Sequence, residues 1–156
     1  MSIRRAEEKD IPRILELLSQ VLELHAEIRP DIFISGTTKY TKDELLLILQ
    51  DENRPIYVAV DEGDVAVGYA FCILMNQPFS TNMVQFKSMF IDDLCVDKSQ
   101  RGRHIGECLF EHVRKEAKRL GCYEITLNVW SGNTPAENFY EKMGMKTKER
   151  QMEYIL

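Results

Sequence analysis

A hydrophobic, β-branched run ending Phe90-Ile91-Asp92-Asp93-Leu94-Cys95-Val96 leads within a few residues into the basic turn Gln100-Arg101-Gly102-Arg103-His104-Ile105-Gly106. Behind the turn lies an amphipathic segment. Ile105, Leu109, Val113, Ala117 and Leu120 share one face, and Glu107, Glu111, Lys115 and Lys118 lie off it. Strand, glycine-containing turn and helix in that order point to an α/β layer structure. A helix start carries free N–H groups and the positive end of the helix dipole, and Arg101 and Arg103 add full charges. The turn therefore has the makings of an anion site. A plain connection with solvated arginines would read the same, and the turn alone does not separate the two.

The 156 residues fit one domain, 1–156, with one substantial core. Hydrophobic content of 44% and charged content of 29% are ordinary for a globular protein. The net charge of -5 argues against general nucleic-acid binding and against an anionic membrane surface. The N-terminal stretch Met1-Ser2-Ile3-Arg4-Arg5-Ala6-Glu7 has no apolar signal-peptide core. No run approaches the length that spans a bilayer, so a cytoplasmic location is expected. Cys72, Cys95, Cys108 and Cys122 lack paired short spacings and read as buried free thiols. His25, His104 and His112 form no ligand pair at helical spacing, so no metal is expected.

Along the chain, Ser2–Ala6 reads as a strand. Asp10 caps a helix with Pro12 in its first turn, and Ile11, Ile14, Leu15, Leu18, Val21 and Leu22 recur at helical spacing. Residues Ala26–Tyr40 read as a loop. Thr41-Lys42-Asp43-Glu44 is a capping box opening a second helix, Leu45–Gln50. Strands are expected at Ile56–Val60 and Val65–Leu74 around the turn Asp61-Glu62-Gly63-Asp64, and again at Val84–Val96. Gly121 stops the amphipathic helix. Glu124–Trp130 alternates as a strand, and Thr134-Pro135-Ala136-Glu137 reads as a second capping box. The helix it opens ends at Gly144, and Lys146–Leu156 closes the chain in extended form. The expected order is β-α-α-β-β-β-α-β-α-β.

These residues resemble the GCN5-related N-acetyltransferases over essentially the whole chain, most strongly from Phe90 to Gly144. The family pattern Arg/Gln-x-x-Gly-x-Gly/Ala is met by Arg101-Gly102-Arg103-His104-Ile105-Gly106, with His104 where glycine is usual. The pattern Asn-x-x-Ala-x-x-Phe-Tyr-Glu-Lys-x-Gly is met in full by Asn133, Ala136, Phe139, Tyr140, Glu141, Lys142 and Gly144. Asp92-Asp93-Leu-Cys-Val is similar to the Glu-Asp-x-x-Val stretch of polyamine-type members. The resemblance implies an acyl-CoA N-acyltransferase fold: a mixed, mostly antiparallel central sheet with a splayed parallel strand pair, flanked by helices.

It also implies acetyl-CoA as co-substrate and direct transfer to a primary amine of a small molecule or peptide. The pantetheine arm would enter between Phe90–Val96 and Ile125–Val129 and pair with the backbone of Leu94, Cys95 and Val96. The pyrophosphate would lie on the amides of Arg101, Gly102, Arg103, His104, Ile105 and Gly106. Asn133 would contact the arm, and Tyr140 would protonate the departing thiolate. As a tyrosine on the helix face Ala136, Phe139, Tyr140, Met143, it also reads as a core residue. Asp92 is the first candidate for the base, with Asp93 on the opposite face of the strand. The loop 26–40 and the connection 76–82 would wall the acceptor pocket, where Asp92, Asp93, Glu27 and Asp31 favour a cationic amine. A homodimer is compatible with this reading. A non-catalytic acyl-CoA-binding module is the alternative, and turnover separates the two. A dinucleotide-binding Rossmann domain would need a glycine-rich turn after the first strand, and Arg5-Ala6-Glu7-Glu8 is not one.

Overall fold

The computed structural model describes all 156 residues. Its elements are β1 (Ser2–Arg5), α1 (Ile11–Ile28), α2 (Lys42–Leu49), β2 (Ile56–Val60), β3 (Ala66–Asn76), β4 (Lys87–Val96), α3 (Ile105–Arg119), β5 (Glu124–Leu127) and α4 (Thr134–Lys142). The five strands form one sheet in chain order. The first four run antiparallel, and β5 joins β4 in parallel. No helix is long and apolar enough to cross a membrane.

Two apolar layers sandwich the sheet. On one face, Ile11, Ile14, Leu17 and Leu18 of α1 and Leu45 and Ile48 of α2 close over Ile56, Val58, Tyr69 and Phe71. On the other, Ile105, Leu109, Phe110, Val113 and Ala117 of α3 close over Tyr57, Ala59, Ala70, Met89 and Ile91. The periodicity of each helix sets which of its own sides meets the sheet. Arg13 ties α1 to the sheet at one end: it pairs with the buried carboxylate of Asp97 and donates to the Ala66 carbonyl at 3.0 Å.

The Thr41 box forms as expected: Thr41 Oγ1 accepts from the Glu44 amide at 3.2 Å, and Glu44 accepts from the Thr41 amide at 3.3 Å. Gly121, with φ +77°, ends α3 in a Schellman turn in which the Cys122 amide donates to the Ala117 carbonyl. Elsewhere the sequence reading needs correction. α1 runs on to Ile28 and stops at Arg29, the residue before Pro30, where the proline ring disfavours helical backbone. Asp10 makes no side-chain cap to α1. Its carboxylate instead accepts from Arg4 Nη1 and Nη2, at 2.8 and 3.0 Å, and from the Glu7 amide. β4 starts at Lys87 rather than Val84, because β3 ends at its partner Asn76.

β5 stops at Leu127, three residues short of the expected Trp130. The cap of α4 is Asn133, not Thr134: the Asn133 side chain accepts from the Ala136 amide at 3.3 Å. Lys146–Leu156 forms no strand. Its first six residues carry no apolar side chain to bury, the whole segment is exposed, and Lys148–Glu124 and Arg29–Glu153 ion pairs attach it to the body. All four cysteines are free, but only Cys72 and Cys95 are buried, and Cys108 is exposed off the apolar face of α3. Burial pushes the Cys72 and Cys95 thiols up to about 12, so both stay protonated.

Candidate active site

The site begins with one surplus residue in β4. Phe71 pairs with Asp93 and the next residue, Cys72, pairs with Ile91, so Asp92 is a β-bulge. A bulge bends its strand and ends regular pairing. The parallel ladder to β5 closes on Ile91–Leu127, and from Asp92 onward that edge of β4 has no strand beside it. β4 and β5 therefore part where the extra residue sits, within the stretch that the resemblance implied.

The bulge also resets which way side chains point. Met89 and Ile91 face α3, yet Cys95 joins the α1–α2 core. Strict alternation would have put Asp92 and Asp93 on opposite faces, and that expectation fails. Both carboxylates reach the α1–α2 side. Asp92 Oδ2 accepts from the Tyr40 hydroxyl at 2.6 Å, and Asp93 Oδ2 accepts from the Tyr69 hydroxyl at 2.8 Å. The two tyrosines flank Phe71, Tyr40 stacked on it at 5.4 Å and Tyr69 edge-on at 4.9 Å.

Burial pushes the Asp93 carboxyl up to about 6, against the lowering effect of the Tyr69 hydrogen bond. Asp92 meets a different environment. Lys39 Nζ lies 3.0 Å from its Oδ1 and donates to its carbonyl oxygen at 3.3 Å. Lys39 and Tyr40 arrive on the loop after α1, which an aromatic cluster anchors. Phe33 of that loop packs on His25 at 5.1 Å and edge-on to Trp130 at 5.3 Å. Sequence reasoning missed Lys39, Tyr40 and Tyr69, since nothing local marks their convergence on the bulge. Asp31, read as part of an acidic pocket, is instead exposed and paired with Arg29 at 2.8 Å.

Beyond β4, the basic turn keeps its amides free. Gln100 and Cys108 donate to backbone carbonyls, and no turn or loop backbone hydrogen bond starts from a residue between them. Gly102 and His104 have positive φ, +80° and +59°. Unpaired amides at the N-terminus of α3 make this turn a candidate anion site. His104 takes the strained conformation that glycine would adopt freely. Its ring is exposed and meets Glu107 at 3.1 Å. Arg101 is exposed and faces Gln20, Glu23 and Glu27 of α1 across a shallow recess. Arg103 pairs with Gln100 at 2.9 Å.

α4 supplies the opposite wall. Asn133 is 8% exposed at its N-terminus. Tyr140 packs against Phe139 at 5.1 Å and Phe110 at 6.4 Å, and its hydroxyl has no protein partner. Burial raises its pKa well above the ordinary phenol value, and the negative charge of Asp93 adds to the shift. The phenol therefore stays protonated at neutral pH. The Gly106 Cα faces Phe139, which brings the turn and α4 together. The arrangement joins a strand edge without a neighbour, a basic turn with unpaired amides and a protonated phenol.

Residues 18–145 match the family model described as acetyltransferase (GNAT) family. The chain belongs to the GNAT family. Among curated GNAT relatives, a peptidyl-lysine N-acetyltransferase of Salmonella typhimurium is 33% identical over 118 residues, 76% of this chain and 68% of the relative. A solved mutant of the BH1408 protein of Bacillus halodurans is 33% identical, covers 100% of this chain and 99% of its own, and superposes with a TM-score of 0.95. An aminoglycoside N-acetyltransferase solved with CoA has the same fold at 19% identity, covering 99% of this chain and 98% of its own with a TM-score of 0.72. The protein is an acetyl-CoA-dependent acyltransferase of the GNAT family.

Proposed function

We propose that this acetyltransferase moves the acetyl group of acetyl-CoA directly to the primary amine of a small cationic molecule or a peptide. The observation that carries the reading is the strand edge that loses its partner at Asp92 between the free amides of the turn and Tyr140. The pyrophosphate suits the turn of Arg101, Gly102, Arg103, His104, Ile105 and Gly106, because the amides there need an acceptor and the two arginines add charge. The unpaired edge at Leu94, Cys95 and Val96 suits the amide groups of the pantetheine arm. A backbone N–H in that stretch stabilises the thioester oxygen as it gains negative charge. Asn133, buried at the start of α4 as its cap, contacts the arm.

Asp92 takes a proton from the incoming ammonium, and Tyr140 gives one to the departing sulfur. The phenol is protonated at neutral pH and its hydroxyl has no protein partner, and the Asp92 carboxylate sits where the two strands part. Relatives that act on peptidyl lysine, and neighbours named for glucosamine 6-phosphate or an aminoglycoside, are all acetyltransferases of amines. The carboxylates around the bulge favour a cationic acceptor within that range.

Steady-state CoA release across an amine panel tests the assignment. Tyr140→Phe removes only the hydroxyl, so kcat should fall roughly 10- to 10⁴-fold while CoA affinity and Tm stay close to wild type. Asp92→Asn should act on the amine side, with a defect that shrinks at high pH as the acceptor loses its proton in solution. Full activity in Tyr140→Phe would remove the general-acid role and leave Tyr140 as a packing residue.

A further inference from the structure

Asp92 already holds a primary ammonium, and it belongs to this chain. Lys39 Nζ is 3.0 Å from Asp92 Oδ1, donates to the Asp92 carbonyl at 3.3 Å, and lies 5.7 Å from the centre of the Tyr40 ring. A carboxylate, a carbonyl oxygen and an aromatic face are the groups that recognise an alkylammonium ion. Tyr40 is itself held: its hydroxyl donates to Asp92 Oδ2, its ring stacks on Phe71, and Arg54 lies 3.4 Å from its oxygen. The bulge frees the Asp92 carbonyl from regular pairing, and the β4–β5 ladder ends one residue earlier, at Ile91. The lysine amine therefore waits at the mouth of the opening between the strands. Its side chain is 42% exposed, which leaves it free to move.

We propose that Lys39 is a self-acetylation site, an internal acceptor seated in the ammonium site that an external amine would use. This rests on the assignment of Asp92 and Tyr140 above. The Lys39 ammonium gives one proton to the Asp92 carboxylate. The neutral Nζ attacks the thioester carbon of acetyl-CoA, the C–N bond forms and the C–S bond breaks. Tyr140 protonates the sulfur and is repaid by the second nitrogen proton, and Asp92 releases its proton to water. The products are Nζ-acetyl-Lys39 and the CoA thiol. The acetylated side chain carries no charge, so it no longer pairs with Asp92, and the ammonium site opens to an external cation.

The test is peptide mass spectrometry of the purified protein incubated with acetyl-CoA and no added amine. Lys42, exposed three residues further on at the start of α2, reports the background reaction with solvent-exposed lysines. Lys39 should gain its acetyl group roughly ten- to hundredfold faster than Lys42, at a rate independent of protein concentration. Tyr140→Phe should slow labelling of Lys39 and leave Lys42 unchanged. Lys39→Arg should lower CoA release in the absence of acceptor to the background rate of the exposed lysines. Labelling of Lys39 no faster than Lys42, in a preparation that turns over an amine from the panel, overturns the self-acetylation proposal alone. Absence of both labelling and turnover overturns it together with the assignment of Asp92 and Tyr140.

Discussion

Replacing Gly68 by alanine tests whether the unpaired edge of β4 depends on how closely β3 can approach it. Gly68 pairs with Val96, and a Cβ built there would lie 2.9 Å from the Cys95 carbonyl oxygen and 3.1 Å from Leu109 Cδ1. The oxygen is backbone and cannot rotate away, so β3 and β4 must separate or α3 must lift. Overpacking of this kind costs roughly 1–3 kcal/mol. At about 2–4 °C per kcal/mol for a chain of this size, Tm should drop roughly 2–12 °C by differential scanning calorimetry. The displaced backbone oxygen belongs to Cys95, which is assigned to the pantetheine arm, so CoA affinity by titration calorimetry should fall as well.

Gly106→Ala is the matched control. Its Cβ would make ordinary contacts, 3.4 Å to Phe139 and 3.7 Å to Val96, and alanine favours a helix over glycine by roughly 0.5–1 kcal/mol. The same one-carbon change should therefore lower Tm at position 68 and hold or raise it at 106. A Gly68→Ala protein with wild-type Tm and CoA affinity would refute the close-approach argument.

Arg101→Ala should weaken CoA binding roughly tenfold, since a charge-assisted phosphate contact contributes about 1.5 kcal/mol or more, and equal affinities by calorimetry would sink the assignment of the pyrophosphate to this turn. His104→Gly should raise Tm by roughly 1–3 °C as the left-handed backbone is relieved, and should keep or improve CoA affinity; a strong loss of affinity would make His104 a phosphate ligand. Asp93 binds its proton more tightly folded than unfolded, about 6 against 3.8, so its stabilising contribution is complete below the lower value and disappears as pH rises through the upper one. Asp93→Asn should therefore gain on wild type by roughly 2–3 kcal/mol between pH 4 and 7 in urea titrations, and a difference independent of pH would show that the carboxyl is not buried as described.

Most elements were legible in the chain because they follow from local periodicity. The apolar spacing of α1 and α3, the Thr41 box and the glycine after α3 each express physics confined to a few neighbouring residues. The two motifs around Arg101 and Tyr140 pointed to the family for the same reason, since each lies in one continuous stretch. What the chain could not reveal is the bulge. One surplus residue at Asp92 changes no propensity and breaks no pattern, yet it cancels the alternation that would have separated Asp92 from Asp93. It also ends the β4–β5 ladder three residues before the strand pattern does. Lys39 and Tyr40 meet Asp92 across more than fifty positions of sequence, brought there by a loop whose path depends on Phe33 packing between His25 and Trp130. The burial that holds Tyr140 and Asp93 protonated to higher pH has the same origin. It comes from side chains gathered from distant segments, and desolvation acts through space rather than along the chain.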